Sequence, residues 1–138
     1  MTFSAIRDAT VAELMTLEPV CVRIDDTLEE AEGLLVRYRI TGLPVVDAEG
    51  VLVGILSQTD LVHLHAPGAS DLPRHRTRGR VGEFMSLPAI TIPLGASVVD
   101  AARLMTDREV HRLVAVDEQG RPVGVLAAMD IVRLVAEV

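Results

Sequence analysis

The sequence predicts a mixed α+β fold built from two tandem copies of one strand–helix–strand–strand–helix unit. Three observations lead to this prediction. The chain repeats itself after 70 residues, each repeat alternates short β-rich runs with amphipathic stretches, and 49% of the residues are hydrophobic. Between residues 11 and 64, 16 of the 54 positions are identical to those 70 residues later, where about four are expected by chance. A lone unit buries too little surface to be stable. We therefore expect a pseudo-two-fold pair with its sheets packed face to face.

The first repeat opens with a β-rich run at residues 19–23. Thr27 and Glu30 then have the spacing of a capping box, which predicts the start of a helix. Gly42 is expected to end this helix. The apolar residues of the helix recur at helical spacing and predict one buried face, formed by Leu28, Ala31, Leu34, Leu35 and Tyr38.

The second half of the repeat is a hairpin followed by a helix. Residues 43–46 predict a buried strand, and Asp47 to Gly50 predict a tight turn. Residues 52–56 form the next strand, and Ser57 to Asp60 open the second helix.

The second repeat follows the same plan, and the repeats set the predicted domain bounds. Ser97 with Asp100 starts its first helix, residues 118–120 form its turn, and Asp130 opens its last helix. The predicted bounds are an N-terminal arm at 1–10, a first repeat at 11–64, a linker at 65–80 and a second repeat at 81–138.

The linker differs from the repeats because it is rich in proline, glycine and arginine. Its basic residues run from Arg74 to Arg80. The linker is either a solvated connection or an arm that folds over a bound phosphate or meets an acidic partner.

Composition limits the partners. The net charge of −7 argues against a polyanion as the main partner, and the three aromatic residues are too few for a stacking platform for nucleic acid. The longest apolar run, residues 51–56, is too short to cross a bilayer. A single cysteine and the lack of a signal-like stretch favour the cytoplasm.

The residues with catalytic potential do not form a catalytic or metal-binding pattern. His63, His65, His75 and Asp60 could be imagined as metal ligands, but helical residues two apart point to different faces. Cys21 lies in a β-rich run and is expected to be a buried, inert thiol. We therefore expect no enzyme activity and no metal.

Three short runs occur in the same order in each repeat. They are residues 11–16, 42–47 and 54–60 in the first repeat and 81–86, 111–117 and 124–130 in the second. Their order, spacing and duplication resemble the cystathionine-β-synthase (CBS) domain, and the resemblance covers about 120 of the 138 residues. It implies a CBS pair that associates as a dimer, binds AMP, ADP, ATP, S-adenosylmethionine or sometimes NAD between its repeats, and regulates another protein.

The resemblance also implies two unequal binding sites. In the first, Arg112 and His111 would contact phosphates, although a surface ion pair and a helix-end position are the alternative roles. The strand residues of both sites are also core residues. The first site would consist of Ser57, Thr59, Asp60, Ser86, Ala89, Ile90, His111 and Arg112. The weaker second site would consist of Asp130 with Thr16, Val20 and Cys21.

The run from Gly54 to Asp60 supports the first site on physical grounds. A helix N-terminus offers N–H groups to an anion, and a carboxylate can accept bonds from both ribose hydroxyls. The same Ser57 and Asp60 also form a capping box that needs no ligand. Where the first repeat has Ser57 and Thr59, the second has Ala127 and Met129.

Three functions remain open from the sequence. The first is a regulatory module that binds an adenosine nucleotide, forms a homodimer and signals to an unidentified partner protein. The second is a dimerisation or adaptor module without a ligand. The third is a nucleic-acid-associated regulator that uses the Arg74–Arg80 linker.

Overall fold

The computed structural model describes residues 3–64 and 79–137, with side chains described from residue 4 onwards and omitted at 63 and 64. These residues form a mixed α+β fold with two sheets, as predicted. No helix among them is long and apolar enough to span a membrane. In chain order the elements are α1 (Phe3–Asp8), α2 (Val11–Leu14), β1 (Thr16–Leu17), β2 (Val22–Arg23), α3 (Leu28–Tyr38), β3 (Gly42–Val46), β4 (Leu52–Ser57), α4 (Gln58–Leu64), α5 (Val81–Phe84), β5 (Thr91–Pro93), α6 (Val98–Arg108), β6 (Arg112–Val116), β7 (Pro122–Ala127) and α7 (Ala128–Ala136).

The chain divides into two compact units that do not follow the sequence repeats. The central unit is Val20–Ala89, and the terminal unit joins Met1–Pro19 to Ile90–Val138. Each unit therefore combines most of one repeat with the opening segment of the other repeat. The units are defined by contacts and the repeats by sequence, so the repeat bounds stay a prediction.

The central unit contains a three-stranded sheet in the order β2-β3-β4. Strand β2 is parallel to β3, and β3 is antiparallel to β4. The buried core that this sheet forms with α3 contains Val22, Leu28, Ala31, Leu35, Leu43, Val45, Leu56, Leu61 and Val81.

The segment that begins at Gly79 completes the central unit. Its carbonyl at Gly79 accepts a hydrogen bond from the Leu28 N–H at 2.9 Å, and the Val81 N–H donates to the Asp26 carbonyl at 2.8 Å. Further along, Ser86 pairs with Ile55 in a short antiparallel bridge. The segment is thus tied to the central unit near both of its ends.

The terminal unit contains a four-stranded sheet in the order β1-β7-β6-β5. The N-terminal segment supplies β1, which is antiparallel to β7, and the Val11 N–H donates to the Ala96 carbonyl at 2.9 Å. The sequence did not predict α1, α2 or α5. The core residues of this unit are Val11, Met15, Ile92, Ala101, Met105, Leu113, Ala115 and Leu126, with Ala9, Val98 and Leu134 beside α1.

The helix starts predicted at Thr27 and Ser97 are confirmed, the one predicted at Asp130 lies two residues earlier at Ala128, and the predicted helix end is wrong. The Thr27 hydroxyl accepts a bond from the Glu30 N–H at 3.1 Å, and the Ser97 hydroxyl accepts one from the Asp100 N–H at 3.0 Å. Helix α3 ends at Tyr38 because Arg39 adopts the left-handed conformation with φ of 54°. Gly42 instead begins β3. Tyr38, predicted on the buried face, is 48% exposed.

The two predicted turns are present. Gly50 and Gly120 have φ of 81° and 80°, values that glycine adopts without strain. In the first turn, Asp47 Oδ1 accepts bonds from the N–H groups of Glu49 and Val51. Residues 118–120 repeat the arrangement after Asp117.

Most of the predicted basic arm, including Arg74, His75, Arg76 and Arg78, lies outside the described residues. Arg80 is described, and its guanidinium donates to the Asp25 carbonyl at 3.2 Å. Arg80 is therefore bound to the central unit.

Candidate functional site

A cluster of three polar side chains lies where β4 passes into α4. Asp60 is half-buried in the first turn of α4. Its Oδ2 accepts two bonds from Ser57, one from the backbone N–H at 2.8 Å and one from the hydroxyl at 3.0 Å. Its Oδ1 accepts a bond from the Ser86 hydroxyl at 2.7 Å. The structure thus brings together three of the predicted site residues, which we call the Asp60 cluster.

Ser86 reaches this cluster because its backbone pairs with β4. The Ser86 N–H donates to the Ile55 carbonyl at 2.7 Å, and the Ile55 N–H donates to the Ser86 carbonyl at 3.1 Å. Ser86 itself is exposed. The pairing holds an exposed hydroxyl against a half-buried carboxylate, which is an arrangement suited to a polar ligand.

The N–H groups at the start of α4 are more occupied than the sequence suggested. The Gln58 N–H donates to the Thr41 carbonyl at 2.7 Å, and the Asp60 N–H donates to the Ser57 hydroxyl at 3.3 Å. With the Ser57 N–H on Asp60, three of these donors have partners inside the central unit. The expectation that these three N–H groups point outwards to bind an anion is therefore wrong. The groups that the cluster can offer to a ligand are its acceptor oxygens, on Asp60 and the two serines.

The equivalent cluster in the terminal unit has different partners. Asp130 Oδ2 accepts a bond from the Ala127 N–H at 2.9 Å, which matches the bond from Ser57 to Asp60. Its Oδ1 pairs with the Arg133 guanidinium at 3.5 Å, and the two side chains are 20% and 72% exposed. We call these residues the Asp130 cluster. Sequence reasoning missed Arg133, although acidic and basic residues three apart on a helix signal such a pair.

The other predicted residues of the second site are divided between the units. Thr16 is exposed in the terminal unit, where β1 places it opposite Val125. Val20 and Cys21 belong to the central unit. Val20 packs against the central core. Burial raises the pKa of the Cys21 thiol above its ordinary value, so the thiol stays protonated at neutral pH.

The remaining residues of the first site are also divided. Thr59 is exposed on α4, and Ala89 is half-buried at the end of the central unit. Ile90, His111 and Arg112 belong to the terminal unit, so their place beside Asp60 stays a prediction.

Arg112 lies on β6 directly opposite Ala127 of β7. Its side chain is half-buried, and burial lowers the pKa of the guanidinium from its ordinary value. His111 is exposed, and its carbonyl accepts a bond from the Ala128 N–H at 2.8 Å. Ile90 packs against the terminal core, which agrees with its alternative role as a core strand residue.

Among the residues whose side chains the structure describes, no three of His, Cys, Asp or Glu are grouped to hold a metal ion. His65 and His75 lie outside the described residues, and the side chain of His63 is not described either. The Asp60 cluster, which joins three of the predicted residues by hydrogen bonds, is the best-supported candidate for a ligand-binding site among the described side chains.

Two regions of the chain match one protein family. The model of the CBS domain matches residues 11–66 and again residues 81–137. Among curated proteins, inosine-5'-monophosphate dehydrogenase from Mycobacterium tuberculosis is 34% identical over 120 residues, which cover 86% of this chain and 21% of the dehydrogenase. The chain thus spans about a fifth of the length of that relative.

Two solved structures are similar over nearly the whole chain. CBSX2 from Arabidopsis thaliana, determined in complex with AMP, has a TM-score of 0.80 and 30% identity, covering 94% of this chain and 97% of that one. The CBS domain pair of protein MJ0100, determined with 5'-methylthioadenosine and S-adenosyl-L-methionine, has a TM-score of 0.82 and 26% identity, with the same coverage of 94% and 97%. Both neighbours carry adenosine-type ligands.

Proposed function

Since this chain belongs to the CBS domain family, with one domain at residues 11–66 and a second at 81–137, we propose that it is a non-catalytic regulatory module that binds an adenosine nucleotide. The observation that carries the proposal is the likeness, over 94% of this chain, to two CBS pairs that hold AMP or S-adenosylmethionine. Ligand binding shifts the balance between conformations of the module, and a partner protein responds to the shift.

The Asp60 cluster supplies the ribose-binding part of this proposal. An ionised carboxylate offers about four lone-pair positions, and the described bonds use three of them. Oδ1 can therefore accept one ribose hydroxyl beside the bond from Ser86. The Ser86 oxygen, 2.7 Å from Asp60 Oδ1, can accept a hydrogen bond from the neighbouring ribose hydroxyl while its own O–H continues to donate to Asp60.

Arg112 is proposed to bind the phosphate. A guanidinium keeps its charge even when burial lowers its pKa, and its fork matches two phosphate oxygens. Thr59, Ala89, Ile90 and His111 are proposed to complete this first site. A weaker second site is proposed around Asp130 with Thr16, Val20 and Cys21.

We also propose that two copies of the chain associate. On α7, Met129, Val132 and Val135 follow each other at intervals of three and are 54%, 55% and 50% exposed. Such an apolar stripe is typical of an interface, and a two-fold dimer is the commonest form. Leu134, on the same helix, does not belong to this stripe because it is buried in the core.

Light scattering tests the dimer. The wild-type chain should have the mass of two chains at micromolar concentration, and Val132→Asp should have the mass of one. Val36→Asp is the matched control, because Val36 is also exposed, at 79%, but lies on α3. A wild-type chain with the mass of one would contradict the dimer.

Thermal unfolding against AMP, ADP, ATP, S-adenosylmethionine and NAD tests ligand binding. A ligand at 100 times its Kd should add about 2.7 kcal/mol to the free energy of unfolding, which raises Tm by several degrees. Inorganic phosphate and guanosine monophosphate serve as controls for phosphate and for the base. An unchanged Tm with all five ligands would favour an adaptor module without a ligand.

A further inference from the structure

Gly54 lies on β4 under the segment that carries Ser86. It is buried, and its φ is outside the left-handed region. Backbone conformation therefore gives no reason for glycine at this position. The lack of room for a side chain explains the glycine. A Cβ added at Gly54 would lie 2.8 Å from Met85 Sδ, 3.0 Å from the Ser86 carbonyl oxygen and 3.1 Å from Leu87 Cδ2. The missing side chain is what allows the segment to approach the strand so closely.

The contact at Gly54 affects the backbone of Ser86 directly. The carbonyl oxygen that an added methyl would press against is the same atom that accepts the Ile55 N–H at 3.1 Å. The hydroxyl of this residue lies 2.7 Å from Asp60 Oδ1. A side chain at position 54 would push Ser86 outwards and lengthen its bond to Asp60, because a backbone carbonyl cannot move aside as a flexible side chain can.

From this geometry we infer that Gly54 is a positioning residue for the nucleotide site, holding the Ser86 hydroxyl on Asp60 by leaving room for the segment at 85–87. The inference rests on the proposed function, since it assigns to that ribose site the residue that fixes two of its acceptors. Gly54 itself acts through Ser86 and does not contact the ligand.

The test is a double-variant cycle with Kd for AMP measured by calorimetry. Gly54→Ala and Ser86→Ala should each weaken AMP binding about tenfold, the size expected for one lost hydrogen bond. Because both changes break the same bond to Asp60, the double variant should bind no more weakly than Ser86→Ala alone. A general effect on the fold would instead multiply the two losses.

Gly33→Ala is the control for a glycine-to-alanine change. Gly33 is exposed on α3, and an added Cβ would have no atom within 4 Å, so AMP affinity should be unchanged. If Gly54→Ala does not fold, Gly54→Ala with Met85→Ala removes the clash with the sulfur atom and leaves the close contacts with the Ser86 carbonyl and with Leu87, whose side chain can move. That variant should bind AMP about tenfold more weakly than Met85→Ala alone.

The outcomes separate the inference from the proposed function. A wild-type chain that binds none of the adenosine ligands overturns both. A Gly54→Ala variant that binds AMP as the wild type does, or a double variant whose losses multiply, overturns only the role of Gly54. Losses that coincide in the double variant support it.

Discussion

The Asp60 cluster and the Asp130 cluster occupy the same place in their repeats and differ in the groups that surround the carboxylate. Both carboxylates accept the backbone N–H three residues earlier, at 2.8 and 2.9 Å. Only Asp60 also accepts two serine hydroxyls, whereas Asp130 pairs with Arg133. The shared bond caps a helix and belongs to the architecture. The bonds from the two serine hydroxyls occur only at Asp60, and we therefore associate them with ligand binding.

The largest expected effect separates capping from binding at the two carboxylates. Asp60→Ala and Asp130→Ala each remove one capping bond, so both should lower the free energy of unfolding, by about 1 kcal/mol at Asp130 and by more at Asp60, which also loses two serine hydroxyls. Asp60→Ala should weaken nucleotide binding by about a hundredfold, because it also removes the charged acceptor for ribose, whereas Asp130→Ala should cost little. Calorimetric titration with AMP measures this. A greater loss from Asp130→Ala would reverse the order of the two sites.

The next effect concerns a position where the repeats differ even more. Arg112 stands where the first repeat has Gly42. Arg112→Ala should weaken AMP binding about tenfold to a hundredfold through the loss of a charge-assisted contact. Adenosine has no phosphate, so its affinity should stay nearly unchanged, and Arg112→Lys should recover part of the AMP affinity. Equal losses for adenosine and AMP would mean that Arg112 supports the fold and does not bind phosphate.

A smaller effect comes from exchanging the residues before α4 and α7. Ser57 caps α4 with its hydroxyl, while Ala127 has no hydroxyl to offer. Ala127→Ser should raise the free energy of unfolding by about 1 kcal/mol and Ser57→Ala should lower it by a similar amount. Differential scanning calorimetry should show Tm changes of about 4 °C in opposite directions. Changes of the same sign would show that the two helix starts are not equivalent.

The smallest effect is expected at Arg133. Its ion pair with Asp130 is 3.5 Å long, and the arginine side chain is 72% exposed. Such pairs three residues apart on a helix contribute less than about 0.5 kcal/mol. Arg133→Ala should therefore leave Tm within about 2 °C of the wild type. A larger fall in Tm would indicate that Arg133 stabilises more than its own helix.

Local signals in the sequence predicted much of the fold. The spacing of Thr27 with Glu30 and the glycine at position 50 report on neighbouring atoms, and the structure confirms both. The end of α3 was missed because Arg39 adopts a conformation that usually signals itself through glycine. The exchange of segments between units was missed for another reason. A local pattern shows that a segment has an apolar side and does not say which distant strand it joins.

The parts of the candidate site that depend on local sequence were predictable, and the parts that depend on distant pairing were not. Ser57 and Asp60 follow from helix capping, which is local. The bond from Ser86 to Asp60 joins residues 26 positions apart, and only the family resemblance placed Ser86 at the site. Nothing in the local sequence around Gly54 indicated its contact with Met85, since that contact depends on the same distant pairing.

Because each unit contains the opening segment of the other repeat, the chain cannot be divided between its repeats into two complete units. The polypeptide passes from one unit to the other after Pro19 and again after Ala89, two points that lie 70 residues apart, which is the offset between the two repeats. If the chain is cut between the repeats, the first half carries Met1–Pro19, which belongs to the terminal unit, and the second half carries residues 81–89, which belong to the central unit. Each half of the chain therefore contains a segment that belongs to the unit formed mainly by the other half. A half expressed alone would lack part of its own unit and would expose the segment that belongs to the other unit.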